Sequence, residues 1–285
     1  MKIDAHQHFW RYAAAEYAWI DDSMRGLRRD FLPDDAKREM SRAGFDAGVA
    51  VQVRQTLEET RWLLSLADAH PTVAGVVGWV DLQADDVRAQ LERFADHRKL
   101  VGIRHIVQSE SDDRFLMRPA FCRGISALQE FGLAYDILIY SRHLPVAAEF
   151  VAQFDAQPFV LDHLAKPPIR SREVDTWARD LHRLSRFSNV MAKLSGLVTE
   201  ADRNTWTLEH IRPYLDLAFN CFGSDRLMIG SDWPVCTVAA DYAATMGLVT
   251  EYVSRLSREE RAAVLGGNAQ RFWNLKAAAL PGERL

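Results

Sequence analysis

Eight short apolar runs, rich in β-branched residues, recur along the chain and limit its folds severely. They are Lys2–His6, Asp46–Val53, Val73–Val80, Leu100–Val107, Leu133–Ile139, Phe159–Leu161, Asn189–Leu194 and Leu227–Ile229. Each is short enough for a strand and is bounded by polar residues or glycine. Stretches with helical spacing of apolar residues separate most of them: Asp34–Ala43, Leu57–Ala69, Asp85–Ala95, Pro119–Phe131, Leu144–Phe154, Glu173–Phe187 and Leu208–Phe222. The ends of these stretches carry physical signals. Asp34 and Asp35 after Pro33 put negative charge where a helix dipole favours it. Gly44 and Gly132 stand where left-handed glycines close helices, and Pro71 stops the helix before it.

Strands alternating with helices imply a parallel sheet. At 285 residues the chain is close to the ~250 typical of a closed (β/α)8 barrel. A doubly wound open sheet is the alternative. The barrel is preferred because polar, chemically useful residues end most of the strands. No linker, low-complexity segment or charge block divides the chain. Residues 1–285 are therefore read as one TIM-type barrel domain, with two extra C-terminal helices over Arg258–Trp273. The connection Arg11–Arg29, carrying Tyr12, Tyr17 and Trp19, is long for a βα loop and is expected to fold over the barrel mouth.

Composition removes several classes of function. With 35 basic and 39 acidic residues the net charge is −4, which lacks the basic footprint of a nucleic-acid protein. Cys122, Cys221 and Cys236 are widely spaced and form no CxxC pair, so a disulfide framework and a cysteine zinc site are both disfavoured. They are expected to be buried packing residues in a reducing compartment. No signal-like stretch opens the chain and no run approaches ~20 apolar residues. The expectation is a soluble cytoplasmic protein with no membrane partner, free to form a homo-oligomer.

Three motifs carry chemistry. Asp4-Ala5-His6-Gln7-His8 lies on the first strand, and residues two apart on a strand share a face. His6 and His8 therefore project together at a strand's C-terminal end, where barrel active sites sit. Imidazoles are common ligands of zinc, although a packed histidine pair would read the same. Asp162-His163-Leu164-Ala165-Lys166-Pro167-Pro168 follows the sixth strand, and Gly230-Ser231-Asp232-Trp233-Pro234 follows the eighth. A lone strand-end Asp is usually a helix cap and a lone His a structural residue. Three such features on one barrel rim are harder to explain that way, because strands one and eight are neighbours and His6, His8 and Asp232 can converge.

These motifs resemble the amidohydrolase superfamily, and within it the amidohydrolase-2 branch that contains sugar lactonases and dicarboxylate lactonases. Gly267-Asn268-Ala269-Gln270-Arg271-Phe272-Trp273 is similar to that branch's C-terminal helix. The resemblance implies a distorted (β/α)8 barrel that hydrolyses esters, lactones or amides. It implies Asp232 as the base that deprotonates water, His6 and His8 as strand-one metal ligands, and His163 as a ligand of a second metal or a polariser of substrate. The chain departs from the metal-dependent pattern at two places. Strand five, Leu133–Ile139, has no histidine, and strand four offers Gly102-Ile103-Arg104-His105-Ile106 in place of a bridging lysine. A dinuclear centre is disfavoured. One divalent ion on His6, His8 and Asp232, zinc first, and a metal-free site both stay open.

The reading of choice is a hydrolase that opens a sugar-derived lactone of the L-fucono- or L-rhamnono-lactone type to the aldonic acid. Asp232 activates water and His163 donates to the carbonyl oxygen. The alternatives are a metal-dependent decarboxylase, an aromatic-acid or dicarboxylate lactone hydrolase of the same branch, and a catalytically silent barrel. Trp10, Trp79 and Trp233 are candidate walls for a sugar ring. Arg54, Arg104, His105 and Lys166 are candidate partners for its hydroxyls. Core packing explains each Trp, and a salt bridge each charged residue, about as well.

Overall fold

The computed structural model describes residues 1–276; residues 277–285 of the expected domain lie outside them. The eight apolar runs form eight parallel strands in sequential order: β1 (Ile3–Gln7), β2 (Ala47–Val51), β3 (Val73–Gly78), β4 (Leu100–His105), β5 (Ala134–Ile137), β6 (Phe159–Leu161), β7 (Val190–Leu194) and β8 (Leu227–Ile229). Several are shorter than the runs that predict them. Val80, Val107 and Ile139 stay buried beyond the last paired residue, so these runs continue as packed loop rather than as ladder. The sheet closes on itself. His8 N donates to Trp233 O at 2.7 Å and Asp232 N donates to His6 O at 2.9 Å. The fold is the expected (β/α)8 barrel.

The outer ring is α1 (Pro33–Ala43), α2 (Leu57–Ala69), α3 (Val87–Glu92), α4 (Pro119–Glu130), α5 (Leu144–Val151), α6 (Asp175–Ser185), α7 (Leu197–Glu200), α8 (Leu208–Phe222) and α9 (Tyr242–Val253). The helical spacing does not announce α9. Tyr242, Thr245, Met246, Leu248, Val249, Tyr252 and Val253 are all buried, so its apolar residues extend round the helix and no clean stripe appears in the sequence. Asp241 caps it by accepting from Ala244 N at 2.7 Å. α10 (Arg258–Ala262) and α11 (Asn268–Phe272) are the two expected C-terminal helices, joined by a π-turn. Among the described residues no helix is long and apolar enough to cross a membrane. Cys236 is buried as expected, but Cys122 and Cys221 are half-buried because they lie on helices of the ring rather than in the barrel.

The barrel interior is layered. Ile3, Ala5, Val49, Val51, Val77, Ala134, Val160, Met191 and Met228 make an apolar floor, sealed by Ala269, Trp273 and Leu275. Two residues further along the same strands the layer turns polar: Ala134 gives way to Asp136, Val160 to Asp162 and Met191 to Lys193, all fully buried. Side chains two apart share a face, so this step carries the interior from packing to chemistry.

β1 departs from strict alternation. Asp4 pairs with Gly48 and Gln7 with Ala50, so β1 carries one extra residue, a bulge. Ala5 joins the floor and His6 enters the polar layer, while Asp4 lies beside Tyr242 of α9. The Asp4 carboxylate accepts from His6 N at 3.1 Å, Gln7 Nε2 at 2.9 Å and Ser231 N at 2.8 Å. It thereby ties β1 to the turn after β8. Asp4→Ala leaves those three donors without their acceptor, and buried unpaired groups cost about 1–3 kcal/mol each. We expect a loss of about 3 kcal/mol, and a thermal midpoint roughly 6–10 °C lower by calorimetry. A loss under about 1 kcal/mol would mean that the strand ladder alone closes the barrel.

Candidate active site

The mouth of the barrel holds a cavity of about 470 Å³. Its floor includes His8, His163 and Asp232. His8 Nε2 lies 3.1 Å from Asp232 Oδ1 and 3.2 Å from His6 Nε2, and His6 Nε2 lies 3.7 Å from Asp232 Oδ1. The three motif residues of strands one and eight therefore converge. The backbone explains it: Asp232 adopts a left-handed conformation, φ 58°, which turns its carboxylate towards the two imidazoles while its N–H still bonds to β1.

The hydrogen bonds also set protonation. His8 Nδ1 faces the Val51 carbonyl at 2.8 Å. A carbonyl only accepts, so Nδ1 carries a proton; without a second one, Nε2 faces the Asp232 carboxylate as a bare acceptor. Two acceptors at that distance call for a proton or a cation between them. Ligands about 2.0–2.1 Å from a tetrahedral zinc stand ~3.3–3.4 Å apart, and the three separations here bracket that spacing. Two imidazoles and a carboxylate also match the three-ligand pattern of catalytic zinc sites, so the residues present fit one divalent ion. Arg104 Nη1 competes for the same His6 nitrogen at 3.2 Å.

Burial pushes Asp232 up, but His163, His8 and His6 outweigh it and hold the carboxyl below the usual carboxylate range. Burial dominates for His163 and pushes its pKa down to about 4 despite Asp232. Burial also drives His6 well below its ordinary value. Near neutral pH the floor is thus a carboxylate facing neutral His163 and His6.

His163 stands on an uncommon turn. His163, Leu164, Ala165 and Lys166 all have φ between 51° and 58°, a run of left-handed residues that costs roughly 1–2 kcal/mol per residue. Trp177 Nε1 donates to Leu164 O at 2.9 Å and Lys166 N donates to His163 O at 2.8 Å. His163 Nδ1 meets Ser195 Oγ at 2.8 Å, and Nε2 lies 3.9 Å from Asp232 Oδ1.

Beneath the floor lies a charged layer that the motifs do not reveal. Lys193 Nζ, fully buried, is 2.5 Å from Asp136 Oδ2, 2.9 Å from Asp162 Oδ1 and 3.2 Å from His6 Nδ1. Arg104 donates to Asp162 Oδ2 at 3.0 Å and to Gln52 Oε1 at 2.8 Å. Two cations and two carboxylates pair off there, and both cations reach His6. The signal in the sequence is a charged residue inside an apolar strand, two positions beyond an inward-facing one.

Of the candidate substrate contacts, Arg104 and Lys166 line the cavity. The others are placed elsewhere: Trp233 and His105 because immediate neighbours on an extended chain point to opposite sides, and the rest because local partners hold them. Trp10 is buried against Phe31 and its Nε1 donates to Arg29 O at 2.9 Å. Trp233 packs edge-on to Phe31 and Phe9, away from the cavity that its neighbour Asp232 enters. His105, next to Arg104, stacks on Phe115 and bonds to Glu110 at 2.7 Å. Trp79 is pinned through its backbone by Thr60 Oγ1. Arg54 pairs with Glu16 and so ties down the Arg11–Arg29 loop. That loop does cover the mouth, and the cavity's aromatic walls are its Trp19 and, after β5, Tyr140. Glu200 and Arg203 complete the polar side. His143 does not replace the missing strand-five ligand; it bonds to Asp113 at 2.9 Å in its own loop region.

A family model described as Amidohydrolase matches residues 3–275. A protein of Burkholderia multivorans named L-fucono-1,5-lactonase is 44% identical, covering 98% of this chain and 98% of its own. One of the same name from Burkholderia ambifaria is 38% identical, covering 96% of each. A crystal structure of an amidohydrolase from Burkholderia multivorans with bound zinc superposes with a TM-score of 0.92 at 44% identity, covering 97% of this chain and 100% of that one.

Gly196 tests how tightly His163 is held. At φ 66° a side chain is strained, and a Cβ there would stand 2.8–2.9 Å from the His163 ring. Gly132 has the same φ with nothing within 4 Å. Gly132→Ala should cost only the left-handed strain, roughly 1–2 kcal/mol. Gly196→Ala should cost distinctly more and move His163, read by calorimetry and by the His163 imidazole resonances. Equal costs and an unmoved ring would show that His163 is not clamped.

Proposed function

This chain belongs to the amidohydrolase family, and from that premise we propose that it hydrolyses a sugar-derived lactone to the aldonic acid, with L-fucono-1,5-lactone as the leading substrate. The observation that carries the reading is the Asp232 carboxylate set against His8 and 3.9 Å from His163 on the floor of the cavity at the barrel mouth. Two relatives named L-fucono-1,5-lactonase, matched along nearly their whole length, support it, and the decarboxylase alternative has no comparable support.

In the proposed mechanism Asp232 takes a proton from water as the oxygen attacks the lactone carbonyl. Ser195 donates its O–H to His163 Nδ1, which leaves Nε2–H facing the cavity. That N–H meets the carbonyl oxygen as charge develops on it, where a preorganised donor contributes most. The depressed pKa keeps His163 neutral, so the donor needs no proton from solvent. When the tetrahedral species collapses, the proton held on Asp232 passes to the ring oxygen, which leaves as the new hydroxyl.

His6, His8 and Asp232 are the residues that would hold a divalent ion, with zinc proposed. When bound it supplies Lewis acidity towards the carbonyl oxygen or the attacking water. Arg104 and Lys193 supply fixed positive charge beside His6, which lowers the need for a second ion. We place the enzyme in the cytoplasm, in catabolism of a free sugar.

The test is acid release from L-fucono-1,5-lactone and a panel of other aldonolactones, followed with a pH indicator. The wild-type protein should hydrolyse at least one of them. Asp232→Asn should lower kcat by about 10²–10⁴-fold, the contribution of a positioned base, with the fold retained. Full activity in that variant would overturn the role of Asp232. Silence of the wild-type protein across the panel would overturn the lactonase reading.

A further inference from the structure

Lys166 and Glu200 face the same cavity from different loops, Lys166 at the end of the left-handed turn after β6 and Glu200 at the end of α7. Their charged atoms, Nζ and Oε1, are 3.6 Å apart, too far for a hydrogen bond. Among the described residues neither side chain makes a hydrogen bond to another group of the protein. The Lys166 ammonium is otherwise held only by the face of Tyr140, 5.4 Å from the ring centroid. Three N–H donors and a set of carboxylate lone pairs are therefore unspent, side by side, above the floor that holds Asp232.

A structural role does not account for this. A partly solvated ion pair contributes about 0–1 kcal/mol. The left-handed conformation of a bulky residue costs more than that, and Lys166, at φ 52°, is the last of four such residues. Strain of this kind persists where the surrounding structure holds a group in place for use. A separated donor and acceptor have an obvious complement: two adjacent hydroxyls. One hydroxyl oxygen accepts from the ammonium, and the neighbouring O–H donates to the carboxylate. A water molecule can satisfy either group but not match both at fixed spacing as a diol does.

We propose that Lys166 and Glu200 form a diol clamp that selects a polyhydroxylated ring and orients its ester carbonyl towards Asp232 and His163. The clamp rests on the lactonase reading above and assigns the selectivity within it. It makes Lys166 and Glu200 specificity-determining residues that bind the ring hydroxyls and take no part in bond breaking. It also places the ring's hydroxylated edge towards the loops after β6 and β7, away from the covering segment with Trp19.

The experiment compares two six-membered lactones, L-fucono-1,5-lactone and δ-valerolactone, which carries the same ester and no hydroxyl. The wild-type protein, Lys166→Met, Glu200→Gln and the double variant are assayed on both, with melting curves to confirm folding. Where δ-valerolactone turns over too slowly to follow, its inhibition constant against the sugar lactone replaces its kcat/KM. The clamp requires each single variant to lower the ratio of the two specificities at least tenfold, chiefly through KM for the sugar lactone. The double variant should fall little below the worse single one, because the two groups act on one diol. A parallel loss on both lactones, or a ratio changed less than threefold, overturns the clamp and leaves the hydrolase reading standing. A wild-type protein that accepts δ-valerolactone and not the sugar lactone does the same. A wild-type protein that hydrolyses neither, nor any other aldonolactone of the panel, overturns both.

Discussion

One carboxylate, that of Asp4, ties the first strand to the turn after the last. By accepting from His6 N and Ser231 N it brings together the two segments that carry His6, His8 and Asp232. Everything at the mouth follows from that join. The bulge beside Asp4 sends His6 into the barrel, the ladder continues through His8 and Trp233, and the left-handed turn at Asp232 swings its carboxylate onto the imidazoles. A barrel that closed one residue out of register would point these side chains at the helices instead.

Electrostatics complete the arrangement. The floor carboxylate is buried against His8 and His163, while the Asp136–Lys193–Asp162–Arg104 layer pairs its own charges one level below. Buried ions are tolerated only when paired and hydrogen-bonded, and each member here is. The layer fixes His6 from beneath through Lys193 and from the side through Arg104.

Much of this is legible in the sequence. Eight apolar runs and the intervening periodicity read as a barrel because each strand is buried on both faces. The three motifs read as one site because strands one and eight must be neighbours. The substrate contacts are harder, for a simple reason. Adjacency in sequence was the signal for Trp233 and His105, and on an extended chain adjacency means opposite faces; each flanks a site residue and points away from it. Trp10, two residues beyond His8, is drawn off by its bridge to Phe31. Lys193 and Asp136 left only the faint mark of a charge in an apolar strand. Glu200 and Tyr140 left none, since their positions depend on how loops after different strands fold towards each other. The left-handed turn at His163–Lys166 contains no glycine, so nothing in its residues announces it.

The central claim is that the closed seam presents Asp232 as a base to water and not as a nucleophile to the carbonyl. Its most direct test is a single turnover of L-fucono-1,5-lactone with excess enzyme in ¹⁸O-labelled water. The account predicts that the aldonic acid carries one ¹⁸O in its carboxylate after that first turnover, with none in the released ring hydroxyl. An unlabelled carboxylate in the first turnover would mean that the oxygen came from the protein, and label in the ring hydroxyl would mean that the wrong bond was cut. Either result would contradict it.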